Sequence, residues 1–162
     1  MILNKVREIN KDNHYQYLIV LDVDRVNSKG TFVDTIDSCF VTDGWDMMSA
    51  NQKGFYYDLW ALRNKDLDYD CWNEDLLAGR LSCPETNIKY PSPGAPIEVN
   101  SAFGGGAIYN LSSIPEECQY NGFENGREKC EHVDFNLCIK KYGGKLYINP
   151  NFLNDAREGG HR

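Results

Sequence analysis

Two carboxylates spaced i, i+2, Asp22 and Asp24, end a run of apolar, β-prone residues that begins at Tyr15. The run predicts a buried strand of an α/β sheet, because such strands lack polar alternation. Ligands of open α/β sheets bind beyond the carboxyl ends of the strands. Hard divalent cations prefer carboxylate oxygens, so Asp22 and Asp24 are candidate metal ligands. A solvated turn is the alternative for so short a motif.

A second candidate stretch places aromatic side chains beside one acid and one base. Tyr57 and its neighbours Tyr56 and Trp60 offer flat faces on which a base or a sugar can stack. Asp58 can accept hydrogen bonds from sugar hydroxyls, and Arg63 can hold a phosphate with its planar fork. Taken alone, the stretch favours the alternative, a core segment in which the aromatics pack inward and Asp58 pairs with Arg63.

Three glycines, 104–106, interrupt a strand pattern that runs over 97–103 and resumes over 107–109. A backbone without side chains at Gly104 and Gly105 allows a ligand to approach closely. A bulge or tight turn is the alternative, and it is the commoner use of such glycines.

Two acids, Glu131 and Asp134, lie i, i+3 apart at the start of a helix predicted over 131–141, so they share one face. A helix N-terminus holds a carboxylate ionised, as a general base must be. Both residues are candidate catalytic bases, and the alternative is that they only begin the helix. His132 is a candidate metal or diphosphate ligand, or a surface residue. Residues 121–126 before the helix are suited to act as a lid.

The composition fits one domain over residues 1–162 and a protein without nucleic-acid partners. The net charge is −7, whereas nucleic-acid binders usually carry a basic patch. A nucleotide ligand is compatible with this charge, because a bound metal can supply the missing positive charge. The first residues contain no apolar h-region and no apolar run approaches membrane-spanning length, so we expect neither a signal segment nor a membrane span. The six cysteines are scattered without a C-x-x-C pair, so we expect reduced thiols and a cytoplasmic location.

The order of the predicted elements indicates an α/β fold with a mixed sheet flanked by helices. The first helix, over 1–13, is expected to bury Ile2, Val6 and Ile9, and the last, over 131–141, to bury Val133, Leu137 and Cys138. Other predicted elements are a helix near 32–40, strands at 45–50, 97–103 and 107–109, and a strand or extended segment at 55–62. A final strand at 146–148, a polar surface loop at 64–96 and a tail at 155–162 complete the prediction.

Four blocks of the chain together resemble the glycosyltransferases of the GT-A fold. The likeness is greatest to the small transferases of large algal DNA viruses and to the fungal capsule-associated mannosyltransferase group. The segments at Phe103 and Glu131 also resemble the beta-1,4-galactosyltransferases. The blocks, in chain order, are 21–24, 56–63, 102–105 with 107–109, and 130–135.

The resemblance implies a metal-dependent hexosyl- or deoxyhexosyltransferase with a nucleotide-sugar donor and a glycan or glycoprotein acceptor. It implies that Mn²⁺ or Mg²⁺ on the Asp-x-Asp holds the donor diphosphate, that residues 103–105 line the donor sugar or acceptor, and that Glu131 faces the acceptor. Family members carry two strands before the Asp-x-Asp, where this chain has 1–14, so we expect an N-terminally shortened GT-A domain. The candidate donor-binding residues are Asp22, Tyr57, Asp58, Arg63, Phe103, Gly104 and Gly105.

Two other functions are compatible with the residues. One is a non-catalytic remnant of a transferase that binds a sugar or nucleotide without turnover, which the short N-terminus favours. The other is a metal-dependent phosphohydrolase with Asp22 as nucleophile, in which the glycine and Glu131 blocks would have no role.

Overall fold

The structure is a computed structural model that describes residues 2–23, 25–27, 30–70 and 88–155. The helices are α1 (Ile2–Asn13), α2 (Thr31–Thr35) and α3 (Glu131–Lys141), with 3-10 turns at Arg25–Asn27, Ile36–Phe40 and Leu111–Ser113. The strands are β1 (Tyr17–Leu21), β2 (Met47–Gln52), β3 (Ile97–Val99), β4 (Gly106–Asn110), β5 (Phe123–Glu124), β6 (Arg127–Glu128) and β7 (Leu146–Asn154).

Five of the strands form one mixed sheet in the order β1-β4-β2-β7-β3, and β5 pairs with β6 in a separate hairpin. β2 and β7 are parallel, whereas β4 is antiparallel to both β1 and β2. Strands β1, β2 and β7 therefore run in the same direction, and their carboxyl ends lie at one end of the sheet. The predicted α/β fold with a mixed sheet flanked by helices is confirmed.

The sheet buries apolar side chains on both faces. One face packs against α1 and α3, where Leu3, Phe135 and Ile139 join side chains from the central strands. The other face packs against α2 and the following 3-10 turn, which contribute Phe32 and Cys39. Neighbouring residues alternate between the two faces, so consecutive apolar residues such as Met47 and Met48 of β2 are both buried.

The first strand differs from its prediction as a buried strand. β1 lies at the edge of the described sheet, and its side chains alternate between exposed and half-buried. Leu18 and Val20 pack on the core, whereas Tyr17, Ile19 and Leu21 are exposed on the other face. An apolar run cannot distinguish a strand covered on both faces from one whose outer face is open.

The helices occur where they were predicted, but their buried faces differ. In α1 the buried residue is Leu3, and Ile2 is 79 % exposed. In α3 Val133 is buried as expected and Cys138 is half-buried, whereas Leu137 is exposed and Phe135 and Ile139 also point inward. The apolar residues of a short helix fit more than one stripe, and tertiary packing decides which stripe is buried.

The last strand, predicted over 146–148, continues past Pro150. The register between β2 and β7 shifts between Ser49 and Asn51, and β3 pairs only as far as Ile148. Pro150 has no N–H to donate, and it lies in this irregular stretch where the ladder does not require one. The chain then resumes pairing and ends β7 at Asn154, opposite Gln52.

The prediction of reduced thiols is wrong for Cys118 and Cys138, which form a disulfide. The bond ties the segment before the β5–β6 hairpin to α3. Cys39 and Cys130 are buried free thiols, and Cys71 and Cys83 lie outside the described residues. Disulfides persist mainly in oxidising compartments, so this bond does not support the expected cytoplasmic location. Among the described residues, no helix is long and apolar enough to cross a membrane.

Removal of the disulfide should destabilise the fold through the unfolded state. The bond joins residues 20 positions apart, a loop for which chain entropy predicts about 3 kcal/mol of stabilisation. Cys118→Ala and Cys138→Ala should each lower the free energy of unfolding by about this amount, and the double variant should lose no more. Denaturant titration of the three variants tests this, and additive losses would contradict a shared bond.

Candidate functional site

A tight turn over residues 103–106, here called the glycine turn, lies where the chain enters β4. The Gly106 N–H donates to the Phe103 carbonyl at 3.2 Å, and Gly104 and Gly105 have φ of +64° and +80°. A Cβ on Gly104 would collide with the Ala50 carbonyl, and one on Gly105 would lie 2.5 Å from Val26. The fold therefore requires glycine at both positions, whether or not a ligand binds there. The tight turn is therefore present, and approach of a ligand to it stays a prediction.

The backbone N–H and carbonyl of Gly104 are both bound by side chains, of which Gln52 and Asn154 are buried and Asp58 is half-buried. Gln52 Nε2 and Asn154 Nδ2 donate to the Gly104 carbonyl at 2.8 and 2.5 Å, and Asp58 Oδ2 accepts from its N–H at 2.8 Å. Gln52 and Asn154 end β2 and β7 and are joined by a 2.8 Å hydrogen bond. The carboxyl ends of two parallel strands thus position the glycine turn.

These two amide side chains were missed at the sequence level. Their only signal is that each is a polar residue at the end of an apolar strand. Residue type does not show whether such side chains face solvent, and only the register of β2 against β7 brings these two together at Gly104.

The carboxyl end of β1 is tied to the same turn. The Asp22 N–H donates to the Gly105 carbonyl at 3.0 Å. Asn27 Nδ2 donates both to that carbonyl, at 2.8 Å, and to the Asp22 carbonyl, at 2.9 Å. The half-buried residue Asp22 therefore adjoins the glycine turn through its backbone, whereas Asp24 lies outside the described residues.

The aromatic-rich stretch is a loop fastened to the glycine turn. A Cβ on Gly105 would lie 2.7 Å from the Tyr57 hydroxyl, so the two residues are in close contact. Asp58 also accepts from the Ala61 N–H at 3.2 Å. Arg63 is 7 % exposed, and its Nη1 donates to the carbonyls of Trp60 and Leu62. Burial lowers the pKa of Arg63. These contacts are of a structural kind, and substrate binding by the stretch stays a prediction.

His132 lies against the first residue of the glycine turn. Its ring stacks on Phe103 with centroids 3.6 Å apart and an interplanar angle of 14°. Tyr120 meets the imidazole edge-on at 5.3 Å. His132 is 8 % exposed, and this burial lowers its pKa from 6.5 to about 4. The imidazole is therefore uncharged at neutral pH, and the ring of Phe103, only 2 % exposed, is covered by it.

Helix α3 is fixed to the segment before the glycine turn by Asn136. Its Nδ2 donates to the Ala102 carbonyl at 3.0 Å and to Ser101 Oγ at 3.1 Å. The Tyr109 hydroxyl donates to Asn136 Oδ1 at 3.0 Å. This buried network sets the position of the helix start, and with it the position of Glu131.

The two candidate bases have different surroundings. Asp134 Oδ2 lies 2.5 Å from Lys129 Nζ, and this hydrogen bond raises the pKa of Lys129. The Glu131 side chain is 44 % exposed, and its Oε1 lies 3.5 Å from His132 Nε2. Because the Asp134 carboxylate is already bound to the Lys129 ammonium, the geometry favours Glu131 over Asp134 as a base.

The described residues fit the implied metal only in part. The Asp22 carboxylate, at a strand end, offers the hard oxygen donor that Mn²⁺ or Mg²⁺ requires. The stacked and buried ring of His132 suits packing or hydrogen bonding better than metal ligation. No group of three His, Cys, Asp or Glu side chains within the described ranges is arranged to hold a metal ion.

Comparison with protein-family models and with curated proteins finds no match.

Replacement of Asp58 by Asn tests its structural contacts. Both Asp58 oxygens accept from backbone N–H groups. In the Asn variant the side-chain N–H₂ replaces one oxygen, so one backbone N–H would face another donor and lose its acceptor. We expect a loss of about 1–3 kcal/mol of unfolding free energy. Asp43→Asn, in an exposed turn, is the control and should change stability by less than about 0.5 kcal/mol. An equal change in unfolding free energy for the two variants would refute the structural role of Asp58.

Acid should destabilise the fold through His132. Its pKa is about 4 in the fold and 6.5 in the unfolded reference, so between these values the unfolded chain binds more protons. The stabilisation is complete above pH 6.5 and is lost as the pH falls towards 4, by about 3 kcal/mol. Urea titrations across this range should show the loss, and His132→Phe should remove most of it. An unchanged pH slope in that variant would contradict the assignment.

Proposed function

We propose that this protein is a glycosyltransferase, which moves a sugar from a nucleotide-sugar donor to a hydroxyl of a glycan or glycoprotein acceptor. The observation that carries the proposal is the convergence of all four resembling blocks on the glycine turn. Asp22, Tyr57 and Asp58 contact the glycines, and His132, adjacent to Glu131, stacks on Phe103. Residues far apart in sequence share one end of the sheet, where α/β folds bind ligands.

The proposed fold is of the GT-A type. The mixed five-stranded sheet with helices on both faces is compatible with it, and the strand-end position of Asp22 supports it. Asp22 would hold Mn²⁺ or Mg²⁺, which when bound supplies positive charge to the leaving diphosphate. This contribution is useful because the chain has a net charge of −7, which by itself repels an anionic donor.

Glu131 is the proposed general base for a transfer that inverts the anomeric centre. Its carboxylate takes the proton of the acceptor hydroxyl as that oxygen bonds to the anomeric carbon. The bond between this carbon and the diphosphate oxygen breaks, and the electron pair leaves with the diphosphate. The exposure of Glu131 gives an acceptor access, and its neighbour His132 is an uncharged hydrogen-bond donor.

A second function, sugar or nucleotide binding without turnover, has one observation in its favour. Asp58 and Arg63 both bind backbone groups of their own surroundings, which reduces what they can offer a substrate. The phosphohydrolase alternative has no comparable support, because it leaves the contacts around Phe103 and Glu131 without a role.

A rise in Tm on addition of a nucleotide sugar distinguishes a transferase or a sugar-nucleotide-binding protein from proteins of other classes. A nucleotide sugar that binds the native state at a hundred times its Kd stabilises it by about 2.7 kcal/mol. We expect at least one donor from a panel of nucleotide sugars to raise the Tm in the presence of Mn²⁺, and less in its absence. The absence of a shift with every donor would contradict both transferase and binding functions.

Glu131→Gln should retain donor binding but lose transfer. The amide keeps the shape and cannot accept the proton, so we expect a fall in kcat of at least about a hundredfold. Asp134→Asn is the matched control, and it should keep a near wild-type rate because Asp134 is already paired with Lys129. Transfer assays with radiolabelled donor measure both. A near wild-type rate for Glu131→Gln would exclude Glu131 as the base.

A further inference from the structure

We propose that His132 is a positioning residue that holds the carboxylate of Glu131 by donating its Nε2–H to Oε1. This role rests on the proposed transferase function, and it differs from the metal or diphosphate contact that the sequence suggested. Three observations carry it: the rigidity of the imidazole, the surroundings of Glu131 and the hydrogen-bonding state of the two ring nitrogens.

The imidazole is fixed on several sides. Phe103 covers one face at 3.6 Å, and the Tyr120 ring meets the imidazole at 90°. Phe103 is itself the first residue of the glycine turn, whose backbone is held by Gln52, Asn154 and Asp58. The position of His132 is therefore coupled directly to the turn at which the donor is expected to bind.

The carboxylate of Glu131 has few constraints of its own. It belongs to the first residue of α3, it is 44 % exposed, and its contact among the described residues is with His132 Nε2 at 3.5 Å. Asp134, one turn on, is held by Lys129 instead. A distance of 3.5 Å is long for a hydrogen bond, and catalytic contacts of this length often shorten when substrate is bound. The imidazole is thus placed to stabilise one rotamer of Glu131 over the others.

The surroundings of the two ring nitrogens assign the tautomer. Nδ1 is buried and has no hydrogen-bond partner in the described part of the chain. A proton on Nδ1 would leave that N–H unsatisfied and would turn the Nε2 lone pair towards the Glu131 carboxylate. A proton on Nε2 instead faces the carboxylate as a donor. Nε2–H is therefore the favoured tautomer.

An uncharged donor suits the neighbour of a general base. A lysine or arginine at this place would stabilise the carboxylate strongly and make it a poorer proton acceptor. A neutral N–H fixes the direction of the carboxylate with less effect on its basicity. The misplacement of a reacting group by about 1 Å can cost a hundredfold in rate, so orientation alone justifies the contact.

Two variants separate the hydrogen bond from the stacking. His132→Phe keeps an aromatic ring against Phe103 and removes both nitrogens, whereas His132→Gln keeps an N–H donor near the place of Nε2 and removes the ring. We expect His132→Phe to melt at or above the wild-type Tm, because the unpartnered Nδ1 is gone, and to lower kcat by about ten- to a hundredfold with little change in the donor KM. His132→Gln should melt lower and retain most of kcat.

A purely structural role predicts the reverse pattern. In that case His132→Phe would keep wild-type kcat, and His132→Gln would lose activity together with stability. That result would overturn the proposal, as would a fall in kcat for both variants in proportion to their loss of Tm.

A spectroscopic measurement tests the contact without an activity assay. The ¹⁵N shifts of the imidazole should report the Nε2–H tautomer, and Glu131→Gln should move the Nε2 resonance more than the Nδ1 resonance. An Nδ1–H tautomer, or unchanged shifts in that variant, would overturn the positioning role even in an active enzyme. If the wild-type chain transfers sugar from no donor, the proposed function is overturned and the positioning role with it.

Discussion

The hydrogen bonds to the backbone N–H and carbonyl of Gly104 are the constraint on which the candidate site depends. Its carbonyl accepts from Gln52 and Asn154, and its N–H donates to Asp58. All three partners are side chains from other parts of the chain, and Gln52 and Asn154 are almost fully buried. Buried polar groups of this kind are costly unless every member is satisfied, so the network specifies one arrangement of β2, β7 and the loop that carries Asp58.

From this turn the contacts extend in two directions. Towards β1, the Gly105 carbonyl accepts from Asp22 and Asn27 and fixes the strand end that carries the first carboxylate. Towards α3, Phe103 supports His132 and thereby reaches Glu131. The proposed metal-binding acid and the proposed base are therefore positioned by two residues of one turn, Gly105 and Phe103. A small displacement of the turn would change both halves of the site together.

The sequence was sufficient for the elements with strong local signals. The bounds of α3 were predicted because acids begin the helix and Gly143 follows its end, and the glycine turn was identified as a place of special backbone. The partners of that turn were not predictable, because the meeting of Gln52 with Asn154 depends on strand register. The burial of His132 was missed, since residue type alone suggested a ligand or a surface side chain. For Arg63 a core segment was favoured, but its bonds to the carbonyls of Trp60 and Leu62 were not predicted.

Paramagnetic broadening by Mn²⁺ tests most directly whether the site lies at this end of the sheet. In ¹⁵N-labelled protein, Mn²⁺ added with a nucleoside diphosphate should broaden the amide resonances of Asp22, Gly104 and Gly105. Resonances of Asp46 and Lys145, at the opposite ends of β2 and β7 and roughly 20 Å away by strand length, should keep their intensity. Mn²⁺ alone is the control for weak binding to surface acids. Broadening centred on Asp46, or none beyond the control, would contradict a metal–nucleotide site at the glycine turn.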